Sequence, residues 1–250
     1  MNINPEFISI TSRITIREDN DVKKLLLEVE EFRLSFIFTS VEPIPEGVLL
    51  SWLEERGFAE IRDVPKRIGT ETFGIERLNI ARKGACQVIY DPRVGNLGIA
   101  GRRYEEVLEE FDRVATMLKE MGFDFLKEMK CFELVLEGRV FAKGKPKPLE
   151  KITDFLETEK FSALNRIIGA EVIPFDIRFC PKSEMGTIED LRRIPKWFDI
   201  HIHPYVPNPN YYGVRLVFRD TDISNVKKFA ETANDKIVEI INVILGSRKK

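Results

Sequence analysis

The chain has 250 residues, of which 43% are hydrophobic and 32% are charged, and its formal net charge is −2. An apolar share of this size is typical of a folded protein with a buried core and excludes an intrinsically disordered chain. The small net charge provides no global basic field for nucleic acid, so such binding would require a local basic patch. Charged residues are abundant and Gln87 is the sole glutamine, a composition typical of thermophilic proteins.

Three widely spaced cysteines, Cys86, Cys131 and Cys180, form no C-x-x-C pair. Their odd number and their spacing argue against a zinc ribbon or a disulfide framework and favour reduced, buried thiols. The first residues lack the basic-then-apolar pattern of a signal peptide, and no apolar run has the length of a membrane span. The sequence therefore predicts a cytoplasmic protein without membrane contact.

The predicted elements of the first half begin with a strand. Alternating apolar and polar residues over 7–17 predict this strand, and residues 22–32 fit either a helix or a strand that continues through 34–40. Apolar residues at helical spacing over 45–57 predict a helix with Gly57 as its C-terminal stop.

A group of strands and one long helix follow in the first half. Runs of β-forming residues, separated in part by turn residues, predict strands at 58–64, 73–81, 85–90 and 96–101. The periodicity then changes, because residues 102–121 place their apolar side chains along one stripe, with Glu and Lys on the other side. This pattern predicts an amphipathic helix that Gly122 ends.

In the second half, the same order of elements returns. The predicted elements are a strand at 131–142, a breaker-rich link at 143–148, a helix at 149–161, strands at 171–179, 198–203 and 211–218, and a long helix at 223–245. This repeated order predicts two similar halves, 1–128 and 129–250, although residue identity between them is low. Each half is predicted to be an antiparallel sheet packed against a long helix, so the fold class is α+β.

Residues 88–124, VIYDPRVGNLGIAGRRYEEVLEEFDRVATMLKEMGFD, contain an apolar strand, a glycine, a short strand, a second glycine and a long helix with early acidic residues. Together with the twofold repetition, this segment resembles the TATA-box-binding protein family. The resemblance implies a saddle built from two curved sheets, each backed by a long helix. In that family an apolar sheet face reads the DNA minor groove.

Several residues depart from the pattern of that family. Asn96 stands where the family has a basic residue after the hairpin glycine, and extra residues displace Tyr90 from the position of the wedging aromatic. In the second half, Asp220 and Asp222 lie where the resemblance would place a phosphate contact, and carboxylates repel phosphate. These departures argue against a TATA-binding role.

The stretch 198–203, FDIHIH, holds both histidines of the chain. In a strand, Asp199, His201 and His203 share one face, so two imidazoles and a carboxylate could chelate a divalent metal ion. The interpretation that we favour is a strand whose apolar face packs on the helix layer and whose polar face lies in solvent or at an interface. Acid–base or pH-sensing use of the histidines is a further alternative.

The loop 204–213 joins rigid prolines to adjacent tyrosines. An exposed loop of this kind can present aromatic side chains to a partner, so Tyr205, Tyr211, Tyr212 and also Tyr90 are candidate partner-binding residues. The alternative is a stiffened hairpin loop whose tyrosines cap the core.

Basic residues occur in short clusters, among them Arg102, Arg103, Lys143, Lys145 and Lys147. If several of these clusters converged on one surface, they could bind nucleic acid despite the acidic total. Arg102 and Arg103 also precede a predicted helix, whose first N–H groups favour anions. The alternative is that these side chains are solvated charges beside glutamates.

No nucleophile elbow, Walker loop or kinase signature occurs in the chain. The sequence therefore favours a non-enzymatic binding or regulatory protein that contacts a protein, or a transcription or translation complex, through its sheet face and the 204–213 loop. The alternatives are a metalloprotein or metal-dependent enzyme that uses Asp199, His201 and His203, a nucleic-acid-binding protein, and a protein that holds a small apolar ligand in a pocket between sheet and helix. No cofactor is predicted apart from the divalent metal of the first alternative, and the open sheet edges predict a homodimer.

Overall fold

The computed structural model describes residues 25–61, 79–142, 147–156, 160–181 and 194–246. Within these ranges, nine strands form one antiparallel sheet that six α-helices accompany. The prediction of an α+β fold with an antiparallel sheet is confirmed. The strand predicted at 7–17 and the candidate residues Lys143 and Lys145 lie outside the described residues.

The two longest strands lie side by side in the middle of the sheet. The strands are β1 (Leu27–Phe38), β2 (Ala59–Glu60), β3 (Asn79–Lys83), β4 (Cys86–Asp91), β5 (Asn96–Gly101), β6 (Met129–Phe141), β7 (Ile177–Phe179), β8 (Trp197–Pro204) and β9 (Tyr211–Asp220). Their order in the sheet is β2-β3-β4-β5-β1-β6-β9-β8-β7. The central strands β1 and β6 pair from Leu27 opposite Val140 to Phe38 opposite Met129.

One face of the sheet packs against helices. The helices are α1 (Glu46–Glu54), α2 (Tyr104–Glu120), α3 (Phe125–Glu128), α4 (Pro148–Leu156), α5 (Lys160–Ile168) and α6 (Ile223–Ile244). The long helix α2 contacts β1, β4 and β5, whereas α6 contacts β1, β6 and β9. We call this side of the sheet the helix face and the opposite side the second face. None of the helices in the described ranges is long and apolar enough to cross a membrane.

The core forms because alternate strand residues point toward the helices. In β1, for example, Phe32, Leu34, Phe36 and Phe38 are buried in the cluster that also contains the apolar stripes of α2 and α6. Aromatic stacking fixes both long helices to the sheet, since the ring of Phe36 lies 4.2 Å from that of Phe111 and the ring of Phe218 lies 4.0 Å from that of Phe229. Each fully buried side chain of this size stabilises the fold by about 1.5–3 kcal/mol.

The structure resolves or corrects four sequence predictions. Of residues 22–32, for which the sequence left helix and strand open, residues 27–32 belong to strand β1. The helix predicted at 149–161 corresponds to α4 and to the start of α5, which begins at Lys160. The strand predicted at 171–179 shortens to β7. Helical spacing over 223–245 predicts an apolar stripe that contains Phe229 and Ile240, but in α6 these two are only partly buried, and the buried stripe includes Ala230 and Ile241.

Candidate functional site

Charged side chains of opposite sign face each other across β6 and β9 on the second face. Glu137 lies opposite Arg215 and Glu133 lies opposite Arg219 in the strand register. The Nε atoms of the two arginines lie 3.1 Å and 2.7 Å from the carboxylate oxygens of their partners. Directly opposed side chains in an antiparallel pair are close enough to interact, so the register itself produces these ion pairs.

The central strand β1 extends this network. A guanidinium nitrogen of Arg33 lies 3.6 Å from Glu133, which also binds Arg219. Arg33 and Glu133 are both buried. A buried charge is strongly unfavourable unless it is paired, so Glu133 between two guanidinium groups is a stable arrangement that fixes the middle of the second face.

Asp199 of β8 is buried beneath an arginine of the edge strand β7. Arg178 donates from Nε to Oδ1 of Asp199 at 2.7 Å and from a second nitrogen to Oδ2. The hydrogen bonds to this carboxylate raise the pKa of the Arg178 guanidinium. Both oxygens of Asp199 therefore accept hydrogen bonds from Arg178, which argues against Asp199 as a metal ligand beside the histidines.

His201 and His203 share the second face with Asp199, as the alternation of β8 predicted. His201 Nε2 lies 2.9 Å from Asp176 Oδ2, and His203 Nδ1 lies 2.9 Å from the carbonyl oxygen of Pro204. The two ring centroids are 5.0 Å apart. Throughout the described ranges, no three or more His, Cys, Asp and Glu side chains are grouped so that they could hold a metal ion.

A cluster of tyrosines and carboxylates surrounds Arg139 at the other end of the second face. Arg139 Nε donates to Glu28 at 2.8 Å, which raises the pKa of the guanidinium, and a further nitrogen lies 3.4 Å from Glu30. The guanidinium carbon lies 5.5 Å from the ring centre of Tyr205 and 5.1 Å from that of Tyr211, within the range of cation–π attraction. We call these five residues the tyrosine–arginine cluster.

Exposed apolar side chains adjoin the tyrosine–arginine cluster. The ring of Phe141 lies 5.0 Å from that of Tyr211, and 42% of Phe141 is exposed. Val206, in the loop that begins beside Tyr205, is 78% exposed. Aromatic, aliphatic and charged groups are thus presented together at one end of the second face.

Two of the four candidate tyrosines lie elsewhere. Tyr90 and Tyr212 point to the helix face and are fully buried in the core. The hydroxyl of Tyr90 donates to the carbonyl oxygen of Ile44, and burial raises the pKa of Tyr212. Because neither side chain reaches the surface, the interpretation of Tyr90 and Tyr212 as partner-binding residues is corrected, and Tyr205 and Tyr211 carry that prediction.

The described basic candidates belong to different connections. Arg102 and Arg103 are exposed between β5 and α2, and Arg103 pairs with Glu106 at 2.9 Å. Lys147 is exposed just before α4, and its backbone N–H donates to Glu150 at 3.0 Å. Their role in nucleic-acid binding stays a prediction.

Sequence reasoning missed most of the charged residues of the second face. These residues are Glu28, Glu30, Arg33, Glu133, Glu137, Arg139, Asp176, Arg178, Arg215 and Arg219. A signal was present, since Glu133, Glu137 and Arg139 alternate with apolar residues in one predicted strand and Arg215 and Arg219 do so in another. The sequence alone does not show the register in which these strands pair, and this register brings the charged side chains together.

Comparison with known proteins supplies no family for this chain. No family model matches the sequence, and no curated protein is detectably similar to it.

Proposed function

We propose that this protein is a non-enzymatic binding protein that recognises another protein through its second face and the 204–213 loop. The observation that carries the proposal is the tyrosine–arginine cluster with its exposed neighbours Phe141 and Val206. Tyrosine and arginine are enriched among the residues that dominate protein–protein binding energy, and the rigid side chain of tyrosine loses little entropy on binding. Intramolecular contacts already hold Arg139 between the two tyrosines, which favours binding further.

The charges of the second face favour a protein over a nucleic acid. The arginines Arg33, Arg139, Arg178, Arg215 and Arg219 each have a carboxylate partner within the same face. A phosphate group would have to compete with these carboxylates and would be repelled by them, whereas a protein partner can match an alternating pattern of both signs. Nucleic-acid binding through Arg102, Arg103 and Lys147 is therefore the alternative that the capture experiment below must distinguish from protein binding.

We also propose that residues 1–128 and 129–250 are two related halves. Support comes from the sheet order, because the last strand of each half, β5 or β9, lies on the outer side of its own central strand and leads into a long helix. This arrangement is compatible with the saddle that the family resemblance implies. An experimental structure in which the halves fail to superpose about an axis between β1 and β6 would contradict this proposal.

The binding proposal is tested by capturing the partner from the native cell extract with wild-type protein and two arginine variants. Arg139→Ala removes the centre of the cluster, and Arg113→Ala on α2 is the matched control. The two side chains are 36% and 45% exposed, and both are paired with glutamates. We expect Arg139→Ala to weaken capture of the partner at least about tenfold, as loss of a dominant interface residue does, and Arg113→Ala to leave it unchanged.

Three outcomes of this experiment contradict the proposal or redirect it. Equal capture by wild type and Arg139→Ala would remove the tyrosine–arginine cluster from the interface. Loss of all captured protein after nuclease treatment would replace the protein partner with a nucleic acid. If the purified wild-type protein has the molar mass of two chains in solution and Arg139→Ala has that of one chain, the partner is a second copy of this protein.

A further inference from the structure

The two imidazoles of β8 lie close enough together to contact one metal ion. A zinc–nitrogen bond of about 2.0–2.1 Å places an imidazole ring centre roughly 3.2 Å from the ion. Two rings whose centres are 5.0 Å apart, as those of His201 and His203 are, would then subtend an angle of about 100° at a shared ion. This angle lies close to the tetrahedral value.

The hydrogen bonds of the two rings determine which nitrogen of each ring can bind a metal ion. The Asp176 carboxylate accepts a hydrogen bond from His201 Nε2, and the Pro204 carbonyl oxygen accepts one from His203 Nδ1. These contacts leave the lone pairs of His201 Nδ1 and His203 Nε2 available to a metal ion. Metal-ligating histidines almost always donate their other N–H to a carboxylate or a backbone carbonyl, and both patterns occur here.

The neighbouring strand makes room for this arrangement. Gly213 of β9 lies directly opposite His203, and a Cβ atom at Gly213 would overlap the His203 ring. The glycine therefore allows the ring to lie flat over β9 near His201. Any larger residue at this position would displace the imidazole and separate the pair.

We infer that His201 and His203 form a site for one divalent ion that prefers imidazole nitrogen, such as Zn²⁺ or Ni²⁺, with Asp176 as the positioning carboxylate. Asp199 has no part in it, because its oxygens bind Arg178. Without a carboxylate ligand, the site discriminates against Mg²⁺ and Ca²⁺, which require oxygen donors. Water completes the coordination shell, so the site is open to exchange. This inference is independent of the protein partner proposed above.

The experiment is calorimetric titration of untagged protein with ZnCl₂, NiCl₂ or MgCl₂ in a Cys180→Ser background. That background is needed because Cys180 directly follows β7, and a thiolate is itself a strong zinc ligand. We expect saturable binding of one Zn²⁺ or Ni²⁺ per chain and no binding of Mg²⁺. His201→Ala and His203→Ala should each abolish it.

Asp176→Asn tests the positioning role. We expect it to weaken zinc affinity by about 10–100-fold, the usual effect of removing a carboxylate that orients a ligating histidine. The matched control is Asp112→Asn, because the Asp112 side chain is 53% exposed against 54% for Asp176 and pairs with Lys227 between α2 and α6. This control should leave the affinity unchanged.

The outcomes that overturn the inference are defined for the same titrations. Absence of saturable Zn²⁺ and Ni²⁺ binding, binding that survives both histidine variants, or equal binding of Mg²⁺ would each do so. Thermal unfolding of the metal-free variants shows whether they are folded, so that lost binding is not confused with lost structure. If an alanine variant unfolds, His201→Gln and His203→Gln replace it and are judged by the same criteria.

Discussion

Strands β5 and β9 occupy matching places, since β5 lies beside the central strand β1 and β9 lies beside the central strand β6. On the helix face, both contribute buried aliphatic residues: Leu97 and Ile99 in β5, and Val214 and Leu216 in β9. On the second face they differ. Strand β5 carries Asn96, Gly98 and Ala100, whereas β9 carries Tyr211, Gly213, Arg215, Val217 and Arg219.

The difference separates the residues that build the sheet from those that could give it a function. Apolar burial on the helix face follows the same rule in both strands, because any strand in this position must pack against a long helix. The second face has no such requirement, and its arginines and tyrosines are concentrated on the β9 side. We therefore expect matched substitutions on the helix face to change the free energy of unfolding by similar amounts in β5 and β9. Matched substitutions on the second face should change it by different amounts in the two strands.

The largest expected effect comes from truncating the matched leucines. Leu97→Ala and Leu216→Ala each remove a fully buried side chain, so each should lower the free energy of unfolding by about 2–5 kcal/mol. Urea denaturation of the two variants measures this. If one strand tolerated the change while the other did not, the helix faces of β5 and β9 would not be equivalent.

The second prediction compares the glycines of the two strands. A Cβ atom at Gly98 would lie 2.6 Å from Ser35 Oγ and 3.2 Å from Arg33 Cδ, both on buried residues, so Gly98→Ala should cost about 1–3 kcal/mol. Gly213→Ala meets the ring of His203, which is only partly buried and can rotate away, so its cost to stability should be smaller. The same urea series tests both, and a larger loss for Gly213→Ala would reverse this comparison.

The third prediction concerns two aspartates, each held by an exposed arginine. Arg178→Ala leaves Asp199 buried without its guanidinium partner and should cost about 1–2 kcal/mol, less than a fully buried pair because solvent reaches Arg178. Arg93→Ala should cost less, because Asp91 keeps the hydrogen bond from the backbone N–H of residue 93. Thermal unfolding at neutral pH distinguishes the two, and equal losses would show that the carboxylate of Asp199 is not dependent on Arg178.

The smallest effect concerns the start of the long helices. Asp222 accepts a hydrogen bond from the backbone N–H of Ser224 at the N-terminus of α6, and its contacts with Ser224 lower the pKa of the carboxyl; α2 has no side-chain cap. A folded-state pKa below the unfolded value of about 3.9 means that the stabilisation is fully present above that pH and is lost as the pH falls through the folded value. Asp222→Ala should therefore lower the melting temperature slightly at neutral pH.

The pH dependence of this difference provides the check. The gap in melting temperature between wild type and Asp222→Ala should close as the pH is lowered below about 3.9. A gap that is constant across the acid range would mean that the Asp222 charge does not stabilise α6.

Local periodicity predicted much of this fold and little of its candidate site. The long helices α2 and α6, and the alternation of β8, were readable because each pattern lies within one continuous segment. Residues 22–32 were ambiguous because their apolar residues fit both periods. The prediction that Tyr90 and Tyr212 bind a partner was wrong because the exposure of a strand residue depends on which face of the strand packs against the helices. The sequence around these tyrosines was not used to decide which face that is.

The ion pairs of the second face depend on register between distant segments. Glu137 and Arg215 meet only because β6 and β9 pair at one particular alignment. A shift of one residue would turn every one of these side chains to the other face. The sequence provides the charges, but tertiary pairing decides which of them meet, and this is why the tyrosine–arginine cluster was not predicted.

The central pairing of β1 with β6 also has a consequence for synthesis in the cell. During translation, β1 leaves the ribosome long before β6, and one of its two hydrogen-bonding edges then lacks its native neighbour. Contacts between segments so far apart in sequence form slowly, and an unfinished sheet is prone to aggregate. Nascent chains halted before Met129 should therefore bind holding chaperones, and they should be released once β9 has emerged and closed the other side of β6.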